Sequence, residues 1–168
     1  MPKRQVIDLS GEFLARGFWL YVWEITTPGR GRKKLLYVGR TGDSSSLNAQ
    51  SPFNRMGQHL GWNKKNNRLR ARLGERGLSP EKCEFRLVAY GPVLEEALPD
   101  LPKDKRTKEH RRRRDCVAWL EMKLAADLCA ADYKVMNPVN CNKPPCESLY
   151  PKVKRAFAQD FPQLGSKS

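Results

Sequence analysis

Glu121 is the residue whose setting first asks for an explanation. It lies four positions after Val117, three before Leu124 and seven before Leu128, on the edge of a helical apolar stripe formed by Val117, Leu120, Leu124 and Leu128. A carboxylate buried without a partner is costly. Either a cation or a metal ion meets Glu121 there, or that face opens onto a cleft. Arg55 and His59 stand four apart and share a helix face. Tyr37-Val38-Gly39-Arg40 ends a short apolar run. Taken singly, a strand Tyr is usually packing, a helical Arg or His is surface, and a helical Glu pairs with a neighbouring base. Together, in this order and on these elements, they read as a site. The P-loop, DFG and HExxH patterns of phosphoryl-transfer and metal enzymes are absent.

The elements that must position these residues follow from local pattern. Phe18 to Thr26 is rich in aromatic and β-branched residues and predicts a strand. The turn TPGRGRKK and a second strand over Leu35 to Val38 make an antiparallel hairpin with a basic tip. Residues 41–51 read as a polar loop. Ser51-Pro52 then offers an N-cap and a first-turn proline for a helix that places Phe53, Met56 and Leu60 on one side and Arg55 and His59 on another. Residues 65–76 predict a basic helix anchored by Leu69 and Leu73, with Gly77 as a stop. Cys83 to Tyr90 is a third strand, closed by Gly91-Pro92. A long helix is expected from near Lys105 to about Ala131, with the RRRR run over 111–114 in its solvated first turns. Val153, Ala156, Phe157 and Phe161 carry a basic amphipathic helix over 148–161. The fold class is therefore α/β in the α+β sense: a small, mostly antiparallel three-stranded sheet flanked by helices. The whole of 1–168 forms one domain, with a core over about 17–141.

Bulk properties bound the function. Lys and Arg number 32 against 18 Asp and Glu, a formal net charge of +14 over 168 residues. Such a field draws polyanions, because each cation that neutralises a phosphate releases a counterion. It argues against a basic protein as partner. No apolar run approaches a membrane span, and the first residues lack the pattern of a secretory signal. Five scattered cysteines do not form a disulfide framework, which fits a reducing cytoplasm. Cys141 and Cys146 would need two further ligands for structural zinc.

Tyr21-Val22-Trp23, then Tyr37-Val38-Gly39 after a hairpin turn, Arg55 and His59 on a helix, Glu121 on a later helix and an Asn beside a Pro resemble the GIY-YIG nuclease family over residues 17–141. The resemblance implies that Tyr37-Val38-Gly39 stands in the YIG place, with Gly39 allowing a sharp turn after the strand. Arg40 stands where relatives often carry a basic residue. Trp23 occupies the place of the GIY tyrosine, or a two-residue shift puts Tyr21 there on the same strand face. Asn140 closes the site, with Asn137 as the alternative. The 41–51 loop is longer than is common in the family.

The activity so implied is endonucleolytic hydrolysis of DNA with Mg²⁺ or Mn²⁺. Glu121 would hold the metal ion and Arg55 a non-bridging phosphate oxygen. Tyr37 would orient or deprotonate the water, and Arg40 and His59 would assist. Cutting two strands with one site would need a homodimer or sequential nicking. Two competitors keep the fold and the charge: a catalytically inactive nucleic-acid-binding module, and a component of an RNA–protein assembly that prefers RNA.

Overall fold

The computed structural model describes residues 4–43, 46–137 and 139–166. Its architecture is mixed α+β, built on a small three-stranded antiparallel sheet. Strand β1 (Phe18–Thr26) lies in the centre, flanked by β2 (Lys34–Arg40) and β3 (Glu84–Leu94) in the order β2-β1-β3. β1 is apolar almost throughout because both its faces are covered, which removes the in/out alternation of a half-exposed strand. The 41–51 loop is followed by helix α1 (Pro52–Leu60), and α2 (Arg68–Gly74) comes next. The long α3 (Lys103–Ala130), then α4 (Tyr150–Ala158) and the short α5 (Gln163–Ser166), complete the chain.

Side-chain alternation sorts the core into two layers. Leu20 and Val22 of β1, with Leu36 and Val38 of β2, meet Val117, Leu120, Leu124 and Leu128 of α3 and Val153 and Phe157 of α4. Tyr21, Trp23 and Ile25 point the other way, with Tyr37, onto Leu69 and Leu73 of α2. Each fully buried Leu or Val contributes roughly 1.5–3 kcal/mol through apolar burial. The C-terminal helix is thus part of the main core.

Four sequence expectations are corrected. β3 does not close at Gly91-Pro92. It runs on to Leu94, and the pairing passes from Leu20↔Tyr90 to Phe18↔Leu94 through an irregularity that absorbs this dipeptide, whose Pro has no N–H for the ladder. The basic helix is shorter than 65–76, because Asn63 to Asn67 form turns before Arg68. Phe53 does not share a buried face with Met56 and Leu60: it is 43% exposed, whereas His59 is fully enclosed. Finally, Cys116 and Cys146 form a disulfide, and Cys83, Cys129 and Cys141 are free. The bond is allowed because α3 and the segment leading to α4 bring the two Cα atoms to 5.3 Å, a proximity that sequence spacing does not encode. The arginine run, in contrast, sits within α3 as expected, with Arg112 and Arg113 both reaching Glu109.

The outer edge of β2 is covered by the chain leaving α3. Leu36 donates to Lys134 O and Met136 donates back to Leu36 O, both across 2.8 Å, in a short parallel bridge. Asn137 continues it with its side chain: Oδ1 accepts from Val38 N across 3.0 Å and Nδ2 donates to Val38 O across 2.7 Å. An amide side chain here stands in for the next peptide of a strand and shields an open sheet edge. Asn137→Ala should leave both Val38 groups without partners and cost about 2 kcal/mol. Chemical denaturation should register that loss, whereas Asn140→Ala should unfold with the wild-type midpoint.

Candidate active site

β1, the end of β2, the body of α1 and the middle of α3 converge on one pocket of about 120 Å³, lined by Tyr21, Tyr37, Arg40, Arg55, His59 and Glu121, together with Gly39, Asp43 and Arg68. β2 serves the pocket from both faces. Tyr37 points toward α1 and α2, and Arg40, three residues on, points toward α3. There Arg40 Nε donates to Glu121 Oε2 across 2.8 Å, and each side chain is 17% exposed. The core-edge carboxylate therefore has both outcomes that its spacing allowed, a cation and a cleft. Burial raises the Glu121 carboxyl above its ordinary value, and Arg40 opposes that shift.

Tyr21 lines the pocket and Trp23 does not. The Tyr21 hydroxyl is hydrogen-bonded to His59 Nε2 across 2.6 Å and donates to Arg40 O across 3.3 Å. Trp23 packs edge-on to Phe85 and pairs across the ladder with Tyr37. The choice between the two follows from register. Tyr21 lies opposite Gly39, and a Cβ on Gly39 would come within 2.4 Å of the Tyr21 ring. Gly39 is therefore needed for close approach, and it lies inside β2 instead of turning the chain after it.

His59 sits between the two tyrosines, its ring centroid 5.2 Å from that of Tyr37 and 5.6 Å from that of Tyr21. Burial, and then the Arg55 charge, lower its pKa to about 3, so it is neutral at physiological pH. The unfolded chain takes up a proton near pH 6.5 that the folded protein refuses, so this contribution to stability is whole above pH 6.5 and is lost as pH falls toward 3. Between pH 6.5 and 5 the part of the loss that belongs to His59 should be roughly 2 kcal/mol. Urea titrations at the two pH values should show it in the wild type and not in His59→Gln.

Burial also pushes Tyr37 up to about 12, with Glu121 adding to the shift and Arg55, Arg68 and Arg72 working against it. Tyr21 is raised further, first by burial. Both phenols are protonated at rest. Arg55, whose side chain is 15% exposed, donates to Asp43 Oδ2 across 2.8 Å and to Gln58 Oε1 across 2.9 Å. Arg55 Nε, Arg40 Nη1 and His59 Nδ1 are buried with no protein hydrogen-bond partner among the described residues.

A second hollow of about 370 Å³ adjoins the pocket and shares Tyr37, Arg68 and Glu121 with it. Its far wall carries Arg72, Asn137 and Asn140. Neither asparagine lines the smaller pocket: both line the adjoining hollow, and Asn137 also holds the edge of β2. Arg68, Arg72 and Asp43 were missed as site residues. The signal for the first two was available, since Arg68 and Arg72 are four apart and flank the buried Leu69 and Leu73 on one helix. Asp43 carried no such signal, because its partner lies across a loop.

Among the described residues no three His, Cys, Asp or Glu side chains gather into a metal cage. The donor set is Glu121, with Asp43 near enough to act on its charge. One or two carboxylates beside a pocket lined by arginines fit an ion such as Mg²⁺, which keeps several waters, and do not fit zinc. No helix among the described residues is long and apolar enough to cross a membrane. Comparison with protein-family models, with curated proteins and with solved structures gave no match for this chain.

Proposed function

We propose that this protein is a metal-dependent endonuclease that hydrolyses DNA phosphodiester bonds, with a site of the GIY-YIG kind. The observation that carries the reading is the convergence of Tyr21, Tyr37, Arg40, Arg55, His59 and Glu121, drawn from four separate elements, on one pocket inside a chain of net charge +14. Partly buried cations and a carboxylate at the wall of a small pocket suit an anion and a divalent ion together.

Arg55 binds a non-bridging phosphate oxygen, with Asp43 and Gln58 fixing its guanidinium. Arg40 opposes the desolvation that favours the protonated form of Glu121 and fixes the orientation of its carboxyl group. Tyr37, protonated at rest, orients the attacking water through its hydroxyl. His59, held neutral, fixes the Tyr21 hydroxyl and stands between the two phenols. Glu121 would hold Mg²⁺ or Mn²⁺, which when bound supplies charge stabilisation at the phosphate and the leaving oxygen. Arg68 and Arg72 extend the electrostatic track along the adjoining hollow.

The test is incubation of supercoiled plasmid with the purified protein in Mg²⁺ or in EDTA. Conversion to the nicked form in Mg²⁺ alone is the expected result. Salt-sensitive binding with no scission in either condition would move the reading to the non-catalytic binding module, and a marked preference for RNA would move it to the RNA–protein component.

A further inference from the structure

Trp62 is 80% exposed, the most exposed large apolar side chain among the described residues. It follows the end of α1, three residues after His59, and it is not loose. The Arg70 guanidinium lies 4.1 Å from the indole centroid. Arg70 is itself fixed, since Nε donates to Leu60 O at the end of α1 across 2.9 Å and Nη1 donates to Glu81 Oε1 across 2.7 Å. One aromatic surface is therefore supported by an anchored cation, while most of the side chain is left to solvent.

The surroundings select what could cover it. From residue 44 to residue 74 the chain contains no Asp or Glu and carries Arg55, Lys64, Lys65, Arg68, Arg70 and Arg72. Lys64 and Lys65 are exposed in the turns beside Trp62. A single short helix, α2, presents Arg68 and Arg72 to the cleft that holds Tyr37 and Glu121 and Arg70 to Trp62. An aromatic plate within a purely cationic segment is the arrangement that binds a nucleic-acid strand, cations tracking the phosphates while a base stacks on the ring. In an uninterrupted duplex the faces of the bases are already stacked on one another.

We propose that Trp62 is the stacking platform for an unpaired base of the DNA strand that enters the cleft, so that the protein prefers DNA with single-stranded nucleotides next to the scissile phosphate. The inference builds on the nuclease reading for the cleft but rests on its own contact.

Fluorescence anisotropy in EDTA tests it, with a labelled oligothymidylate and a labelled blunt duplex titrated by wild type, Trp62→Ala, Trp62→Phe and Glu121→Gln. Trp62→Ala should bind the single strand roughly tenfold or more weakly. Its affinity for the duplex and its melting temperature should stay at wild-type values, and Trp62→Phe should recover most of the loss. Glu121→Gln should bind the single strand at least as tightly as wild type. Unchanged single-strand affinity in Trp62→Ala, or an equal loss on single strand and duplex, overturns the stacking role. If the Trp62 effect appears but wild type cuts nothing in Mg²⁺, the nuclease reading fails and the stacking role stands. If wild type binds neither oligonucleotide, both fall.

Discussion

On the proposed nuclease reading, Glu121→Gln should abolish Mg²⁺-dependent nicking, lowering the rate by roughly a thousandfold or more, since the proposed metal ligand and its contribution of several kcal/mol at the phosphate would be removed. The substitution is close to isosteric, so the side chain still fits between Arg40 and the pocket. What changes is charge. Gln can still accept from Arg40 Nε, but the guanidinium, 17% exposed, loses its counter-ion. A fall of about 1–3 kcal/mol in stability is therefore expected alongside the loss of activity, and circular dichroism with thermal melting separates the two. Binding provides the sharper control. Removing a negative charge from the pocket proposed to bind phosphate should leave DNA affinity in EDTA equal or higher, whereas general damage to the fold would lower it. Nicking by Glu121→Gln at the wild-type rate would remove this carboxylate from the chemistry.

Gly39→Ala should be strongly damaging for a single added methyl group. The new Cβ would lie 2.4 Å from Tyr21 Cε2 and 2.6 Å from its hydroxyl. Neither backbone can retreat, because Tyr21 and Gly39 are partners in the β1–β2 ladder and β1 is held on its other side by β3. The ring must swing away and give up its 2.6 Å hydrogen bond to His59. Overpacking of about 1–3 kcal/mol and about 1 kcal/mol for the lost hydrogen bond together predict a loss of about 3 kcal/mol. For a domain of this length that lowers the melting temperature by about 10 °C. Tyr21→Ala removes the obstacle, so adding Gly39→Ala in that background should cost well under 1 kcal/mol. A double-mutant cycle in calorimetry measures this coupling, and additive effects would mean that the two residues do not compete for the same space.

Much of the frame was legible without coordinates. β1 runs from Phe18 to Thr26 as its composition predicts, α1 starts behind the Ser51 cap and Pro52, and α3 lies within one turn of its expected limits. The apolar stripe of α3 placed Glu121 at the core edge, and the structure puts it there. The departures share a different character. Phe53 is exposed and His59 buried because α1 turns toward a hydroxyl on a strand 38 residues earlier. Arg68 and Arg72 reach the cleft because Leu69 and Leu73 clamp α2 to the sheet, which decides which way the flanking cations face.

The sequence by itself determined the periodicities, the caps, the basic field and the kinds and order of the polar groups, since those depend on neighbours within a few residues or on composition alone. Tertiary structure alone decided that Tyr21 and not Trp23 enters the pocket, that Arg40 holds Glu121, that Asn137 and not Asn140 seals the edge of β2, and that Cys116 meets Cys146. Each of these is a pairing between distant parts of the chain. Strand alternation leaves Tyr21 and Trp23 on one face. Only the register against β2, which sets a glycine opposite one and Tyr37 opposite the other, leaves room for the Tyr21 ring to lie over the sheet and reach the site.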